Sequence, residues 1–409
     1  MTDDVKIRLA AYGQEHLLYG VETLAEPARR AYLDRLDRLD LPYIAALYRS
    51  VHSSPTLSGQ IAPCRSEQAI AFSAAETEEL TGRGQSLIRS GAVAVVTMAG
   101  GQGTRLGYDG PKGCFDVGIG VSLFGLLAER IRALQTECGG TLPWYIMTSA
   151  DNHDKTVDFF EKHLYFGLSS DQVFFFQQGL LPLLDTQGRI LLADIGRIAE
   201  GPDGNGGVFA ALSASGALAD MERRSIRYVF FCGIDNALVR PADPMFVGFF
   251  DHDGAPCASK SVRKASPDER VGVFCTRNGR PCVIEYTELT PEMRAATSET
   301  GALLYGDANI VTHMLRFDAL KAVCTQGLPM HTAFKAIPYF SPEAGRIAPR
   351  EPNAYKFESF IFDAFASLDR MAILQVERER EFAPVKNAEG ADSPATALAL
   401  LLKNGYAVR

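Results

Sequence analysis

At 409 residues, 46% of them hydrophobic, the chain can bury a large core and has the length of about two or three domains. A formal net charge of -8 and a pI near 5.5 exclude a general nucleic-acid-binding surface, which is ordinarily basic, while leaving room for a local anion pocket. Eight cysteines without a C-x-x-C pair exclude zinc-finger spacing and a disulfide scaffold, and they read as reduced thiols. The N-terminus, MTDDVKIRLA, lacks the apolar core of a signal peptide, and no stretch approaches the roughly 18 uninterrupted apolar residues of a membrane span. A cytoplasmic protein with neither nucleic-acid nor membrane partners is expected.

Along the first 90 residues, apolar side chains recur at spacings of three and four over Val5–Tyr19, Glu26–Leu39, Pro42–Ser50 and Ala75–Ser90, which predicts a helical arm or cap over 1–90. From Gly91 strands and helices alternate. Strands are predicted at Val93–Met98, Trp144–Thr148, Val173–Gln177, Tyr228–Ile234, Gly272–Thr276 and Val283–Tyr286, with helices at Ser122–Thr136, Asp154–Leu164 and Gly207–Ser213. That rhythm is the one of an α/β, Rossmann-like, mostly parallel sheet with its ligands at the carboxyl edge, here over 91–341. The proline- and charge-rich segment Pro342–Pro352 reads as a hinge leading to a small C-terminal domain over 342–409. There is no internal repeat.

The first predicted strand runs into a glycine-rich loop, VVTMAGGQGTRLGYDGPKG from Val95 to Gly113. Glycines let backbone N–H groups approach anionic oxygens closely, and Arg105 and Lys112 add positive charge, so the loop is suited to phosphate and a nucleotide ligand. Walker A is excluded because Gly107 is followed by Tyr108-Asp109 rather than Lys-Ser/Thr. The dinucleotide fingerprint fails because Leu106 stands where its third glycine should be, which disfavours a nicotinamide oxidoreductase.

The remaining pattern, G-G-x-G-T-R-L-G followed by P-K, resembles the signature of UDP-sugar pyrophosphorylases, closest to their UDP-N-acetylhexosamine branch. Further blocks are similar to that branch and occur in its order. They are Trp144–Ser149, Gln177-Gln178, Pro202–Gly207, Asp235-Asn236 with Leu238-Val239-Arg240, Val283–Glu288, Asn309–His313, Phe360–Phe365 and Phe382–Asn387. The resemblance implies a nucleotide-diphospho-sugar transferase (GT-A-like) fold and a uridylyltransferase. A sugar-1-phosphate oxygen would attack the α-phosphorus of UTP in line and expel pyrophosphate. Such a nucleophile is already anionic, so cations rather than a proton shuttle are needed.

By the same resemblance, Arg105, Lys112 and Lys386 are expected to act on the phosphates. Ala99, Gly100, Gly101, Gly103 and Thr104 would cradle the nucleotide, with Gln178 reading uracil and Gly204, Asn205 and Gly206 forming a second nucleotide loop. The family's usual Glu-Gln pair is Gln177-Gln178 here, which removes a carboxylate beside the base-reading glutamine. Asp235 is expected to hold Mg²⁺ (or Mn²⁺), which ordinarily takes one or two protein carboxylates. Asn205, Asp235, Glu285 and Asn309 would face the sugar. Asp363, His331 and Lys335 are weaker candidates in the same chemistry.

Expected substrates are UTP and N-acetylglucosamine- or N-acetylgalactosamine-1-phosphate. Glucose- or galactose-1-phosphate is the alternative, and a non-catalytic UDP-sugar sensor a further one. The full set of Arg105, Lys112 and Asp235 argues against the sensor, since mere binding has little need of it.

Overall fold

The computed structural model describes residues 3–51 and 59–409, so positions 1–2 and 52–58 of the segment read as an arm lie outside the described residues. The chain divides into two compact units, each assembled from three stretches. One comprises Met1–Ser58, Gly179–Gly207 and Leu328–Phe360; the other comprises Gly59–Gln178, Val208–Gly327 and Ile361–Arg409. These boundaries do not follow linear divisions at 90 and 341.

In the larger unit, four parallel strands lie side by side in the order Tyr228–Gly233, Val93–Met98, Trp144–Thr148 and Val173–Gln177. Their sequences read as continuous apolar runs because both faces of a parallel sheet are covered. Val93–Met98 is buried at every position. Beyond Tyr228–Gly233 the sheet continues through the antiparallel strand Asp307–Arg316 to Cys257–Arg263 and Met371–Val376, which are parallel to each other, giving a mixed, mostly parallel main path. A hairpin, Val273–Arg277 with Arg280–Ile284, branches from it. Its turn lies at Asn278 and Gly279, both at positive φ, so the second strand starts three residues before the predicted Val283.

Helices Ala74–Arg89, Leu123–Cys138, His153–Lys162 and Pro244–Asp253 belong to this unit. The first crosses the last where Gly84 and Gly248 meet. A Cβ on Gly84 would lie 1.9 Å from the Pro244 carbonyl oxygen, and one on Gly248 would lie 1.8 Å from that of Leu80. The single tryptophan, Trp144, is fully buried between Phe124 and Phe160 and donates its indole N–H to Thr97 Oγ1 at 2.8 Å.

The smaller unit has its own core, in which Leu9, Leu17, Leu36, Ile44 and Leu47 meet Leu184, Ile190, Leu192 and Phe357. The helices Glu26–Asp37 and Leu41–Val51 form as predicted. The predicted Val5–Tyr19 helix instead ends at Ala11 and resumes as a short 3-10 turn at Glu15–Leu18, because Gly13 takes a positive φ. The segment read as a hinge carries a hairpin strand, Gly345–Ile347 paired with Tyr339–Ser341, and belongs to this unit. Among the described residues no helix is long and apolar enough to cross a membrane.

Candidate active site

In the larger unit the strands Val93–Met98, Trp144–Thr148, Val173–Gln177 and Tyr228–Gly233 all end at one edge of the sheet. They deliver Ala99, Ser149, Gln178 and Asp235 there. The glycine loop leaves that edge and folds back on itself. Ala99 is fully buried and donates to the Met147 carbonyl at 2.8 Å, Gly103 donates to Gly110 at 2.9 Å, and Lys112 donates through its backbone to Gly101 at 3.1 Å. Asn152, only 1% exposed, ties the loop down from outside, its amide donating to the carbonyls of Ala99 at 3.0 Å and Gly101 at 3.3 Å. The carbonyls of Ala99, Gly101, Gly103 and Thr104 are thus engaged. The N–H groups of Gly100, Gly101 and Gln102 donate to no oxygen among the described residues, which is the arrangement of an anion cradle. Thr104 and Arg105 are exposed on the short 3-10 turn that follows.

Gln178 lies directly against this loop: a Cβ on Gly100 would stand 2.6 Å from Gln178 Oε1, so any side chain there would displace the amide from that spot. Its backbone N–H is held by Thr148 O at 2.8 Å. Lys112 is half-buried, and burial pulls its ammonium below the ordinary lysine range. Asp235 opposes that shift, while Arg105 and Lys386 reinforce it. Arg105, Asp235 and Lys386, all singled out from the sequence, are therefore within electrostatic reach of Lys112: with it, three cations and one carboxylate. Three like charges held together with a single counter-charge have an unmet demand for anion, which a polyphosphate supplies.

Asp235 is fixed just past the end of its strand. Its carbonyl accepts from Val385 N–H at 2.8 Å, one residue before Lys386, and Asn236 forms a bridge with Pro384. Lys386 itself is exposed, its N–H donating to Asp392 O at 2.7 Å.

Glu285 and Asn309 meet at Gly272. A Cβ there would come within 2.9 Å of Glu285 Oε1, and Asn309 N–H donates to the Gly272 carbonyl at 2.9 Å. Asn309 is 8% exposed, and its side-chain oxygen accepts from Val311 N–H at 2.9 Å. Because Cys232 pairs with Thr312 in the antiparallel register, the beginning of the Asp307–Arg316 strand runs past the end that carries Asp235. Asp363 lies in the 3-10 helix Ile361–Ser367 of the same unit.

Gly204, Asn205 and Gly206 belong to the smaller unit. There the loop is stitched to the end of the Ala354–Glu358 strand: Gly206 N–H donates to Ser359 O at 2.9 Å and Ser359 N–H to Asp203 O at 2.7 Å. Gly204 sits at φ +90°, and a Cβ on it would strike the Ser359 carbonyl at 2.2 Å. The preceding Asp203 lies in the Pro202–Gly207 block, with no role expected of it from the sequence. Its carboxylate is pinched between Gly179 and Gly207, Oδ1 has no hydrogen-bond partner among the described residues, and burial raises its pKa to about 6. His331 and Lys335 are in the strand that pairs with Ala354–Glu358, the His331 ring 4.7 Å from that of Phe360. Lys356, also not anticipated, forms an ion pair with Glu358 at 2.7 Å.

A divalent cation fits the donor set only in part. Among the described residues no group of three or more histidine, cysteine or acidic side chains could hold a metal. One carboxylate among cations suits an ion that takes most of its shell from phosphate and water, as Mg²⁺ does.

Residues 46–406 match the family described as UTP--glucose-1-phosphate uridylyltransferase. The chain is 40% identical to human UDP-N-acetylhexosamine pyrophosphorylase-like protein 1, over 98% of this chain and 84% of that protein. It is 36% identical to the UDP-N-acetylglucosamine pyrophosphorylase of Saccharomyces cerevisiae, over 99% and 90%. Among solved structures, the uridine diphosphate N-acetylglucosamine pyrophosphorylase of Trypanosoma brucei superposes with a TM-score of 0.86 at 32% identity, covering 98% of this chain and 84% of that one.

Proposed function

Because the chain belongs to the UTP--glucose-1-phosphate uridylyltransferase family, we propose that it joins UTP to N-acetylglucosamine-1-phosphate, or its galacto epimer, releasing pyrophosphate. The observation that carries this reading is that Lys112 feels two further cations, Arg105 and Lys386, and the Asp235 carboxylate, beside a loop whose Gly100, Gly101 and Gln102 N–H groups donate to no oxygen among the described residues. The named relatives at 36% and 40% identity support the acetamido sugar. The sheet is read as Rossmann-like and of the GT-A type, and eight free thiols agree with a cytoplasmic enzyme.

In the reaction, a phosphate oxygen of the sugar-1-phosphate forms a new bond to the α-phosphorus. The bond from that phosphorus to the bridging oxygen breaks, and pyrophosphate leaves with the electron pair. No proton must be removed from the attacking oxygen. The chain's task is to align two anions that repel each other and to neutralise the leaving group. Arg105 grips the β- and γ-phosphates with its planar fork, while Lys112 and Lys386 hold charge at the transferred phosphate. Ala99, Gly100, Gly101, Gly103 and Thr104 line the triphosphate, and the Gln178 amide, able to donate and accept, reads the uracil edge. Gly204, Asn205 and Gly206 are assigned to the nucleotide as well. Asn205, Glu285 and Asn309, together with Asp235, are assigned to the sugar. Asp235 would hold Mg²⁺ (or Mn²⁺), which when bound supplies further charge neutralisation at the phosphates.

Pyrophosphate release from UTP and Mg²⁺ tests the reading, with GlcNAc-, GalNAc-, glucose- and galactose-1-phosphate in parallel and with ATP, CTP and GTP as controls. Turnover with UTP and an acetamido sugar is expected. Preference for glucose-1-phosphate would replace the sugar assignment, and silence with all four alongside UDP-sugar binding by calorimetry would replace the enzyme with a sensor.

A further inference from the structure

Asp235 and Lys386 are about 150 positions apart in the chain, yet they are joined by one short, almost fully bonded patch of backbone. The run Asp235–Ala237 docks against Ala383–Val385. Val385 N–H donates to Asp235 O at 2.8 Å, and Ala237 N–H donates to Ala383 O at 2.9 Å. Asn236 lies at the centre and is 5% exposed. Its Nδ2 donates to the Glu381 carbonyl at 2.7 Å, and its Oδ1 accepts from Leu238 N–H at 3.1 Å and Ala383 N–H at 2.9 Å. One amide thus serves three backbone groups on two chain segments, the one that begins with Asp235 and the one that ends in Lys386.

Both segments are anchored further out. Lys260, wholly buried on the Cys257–Arg263 strand, reaches Glu381 at 2.5 Å and Asp243 at 2.7 Å, and Arg240 pairs with Asp243 at 3.1 Å. From the helix Leu123–Cys138, Arg130 donates to the carbonyls of Val239 at 2.8 Å and Ala237 at 2.7 Å. With the outer ends held, the amide decides how the inner ends register.

We propose that Asn236 is a positioning residue, whose buried amide sets the Asp235 carboxylate and the Lys386 ammonium at the spacing the transferred phosphate requires. This rests on the uridylyltransferase reading. Asn236 touches no reacting atom in this scheme; it acts through Lys386 and Asp235. Only an amide serves, because the site needs one donor and one double acceptor. Alanine leaves three buried backbone groups without their partner, and aspartate turns the bond to the Glu381 carbonyl into a repulsion.

A double-substitution cycle tests it, with kcat and KM for UTP measured for the wild-type protein, Asn236→Ala, Lys386→Ala and the combination. Asn236→Ala is expected to lower kcat about tenfold with KM changed less than about threefold, and to lower it no more than about twofold when Lys386 is already alanine. An equal factor in both backgrounds overturns the proposal, as does full kcat accompanied only by a lower melting temperature. If Asn236→Ala does not fold, Asn236→Asp runs through the same cycle. It keeps the acceptor contacts and is expected to lose about threefold, again only with Lys386 present. Wild-type protein that releases no pyrophosphate counts against the uridylyltransferase reading itself; active wild type with multiplicative factors counts against the role of Asn236 alone.

Discussion

Lys112 is held half-buried next to two other cations, an arrangement that destabilises its charge in the free protein. The same crowding becomes favourable once phosphate arrives, because the field is already in place when charge develops. Lys112→Ala is therefore expected to lower kcat by about a hundredfold or more in a folded protein, comparable to the loss of one preorganised donor, as steady-state kinetics would report. Asp235→Ala should weaken the dependence on Mg²⁺ while leaving uridine binding intact, which a Mg²⁺ titration at fixed UTP and a calorimetric uridine titration measure separately. Asp203 shows an opposite economy. Burial raises its pKa to about 6, so the folded chain holds this proton more tightly than the unfolded chain does. Its effect on stability is then least unfavourable below about pH 4, worsens as pH rises to about 6, and stays unfavourable above. Asp203→Asn should raise the unfolding free energy at pH 8 by up to about 3 kcal/mol, and by much less at pH 4, in urea titrations at the two values.

At the scale of elements, the crossing of Ala74–Arg89 over Pro244–Asp253 depends on two glycines that let one backbone rest on the other. Gly248→Ala would drive a methyl group into the Leu80 carbonyl, and a loss of about 1–3 kcal/mol or more is expected in chemical denaturation. The parallel strands were legible in the sequence because each is an unbroken apolar run ending in glycine or a turn, as Val93–Met98 is before Gly100 and Gly101. Cys257–Arg263 was not. It carries Ser259, Lys260 and Ser261 in its middle, and these are buried only because His313, Glu381 with Asp243, and Asp307 come to meet them from distant parts of the chain. A local reading sees polar residues and no strand. The same holds in the site. Arg105, Lys112 and Gln178 stand in or beside recognisable blocks; Asn152 stands in none, and Asn236, though inside the Asp235-Asn236 block, acts through distant backbone groups that no sequence spacing reveals.

For the whole molecule, three separated stretches make each unit, so neither is a continuous fragment. A chain ending at 341 would delete Ala354–Glu358, which pairs with both His331–Lys335 and Leu184-Asp185, and would remove Met371–Val376 from the large sheet. Such a truncation is expected to yield insoluble or unfolded protein, checked by circular dichroism of the soluble fraction. Trp144 makes the relation between the units measurable by light. The only indole of the chain is enclosed in the core of the larger unit, and the smaller unit has none, so tryptophan emission watches one unit while the far-ultraviolet signal watches both. Superimposed denaturation curves from the two probes would mean a single cooperative molecule, and an emission change displaced from the ellipticity change would resolve two independent melting events without labelling either.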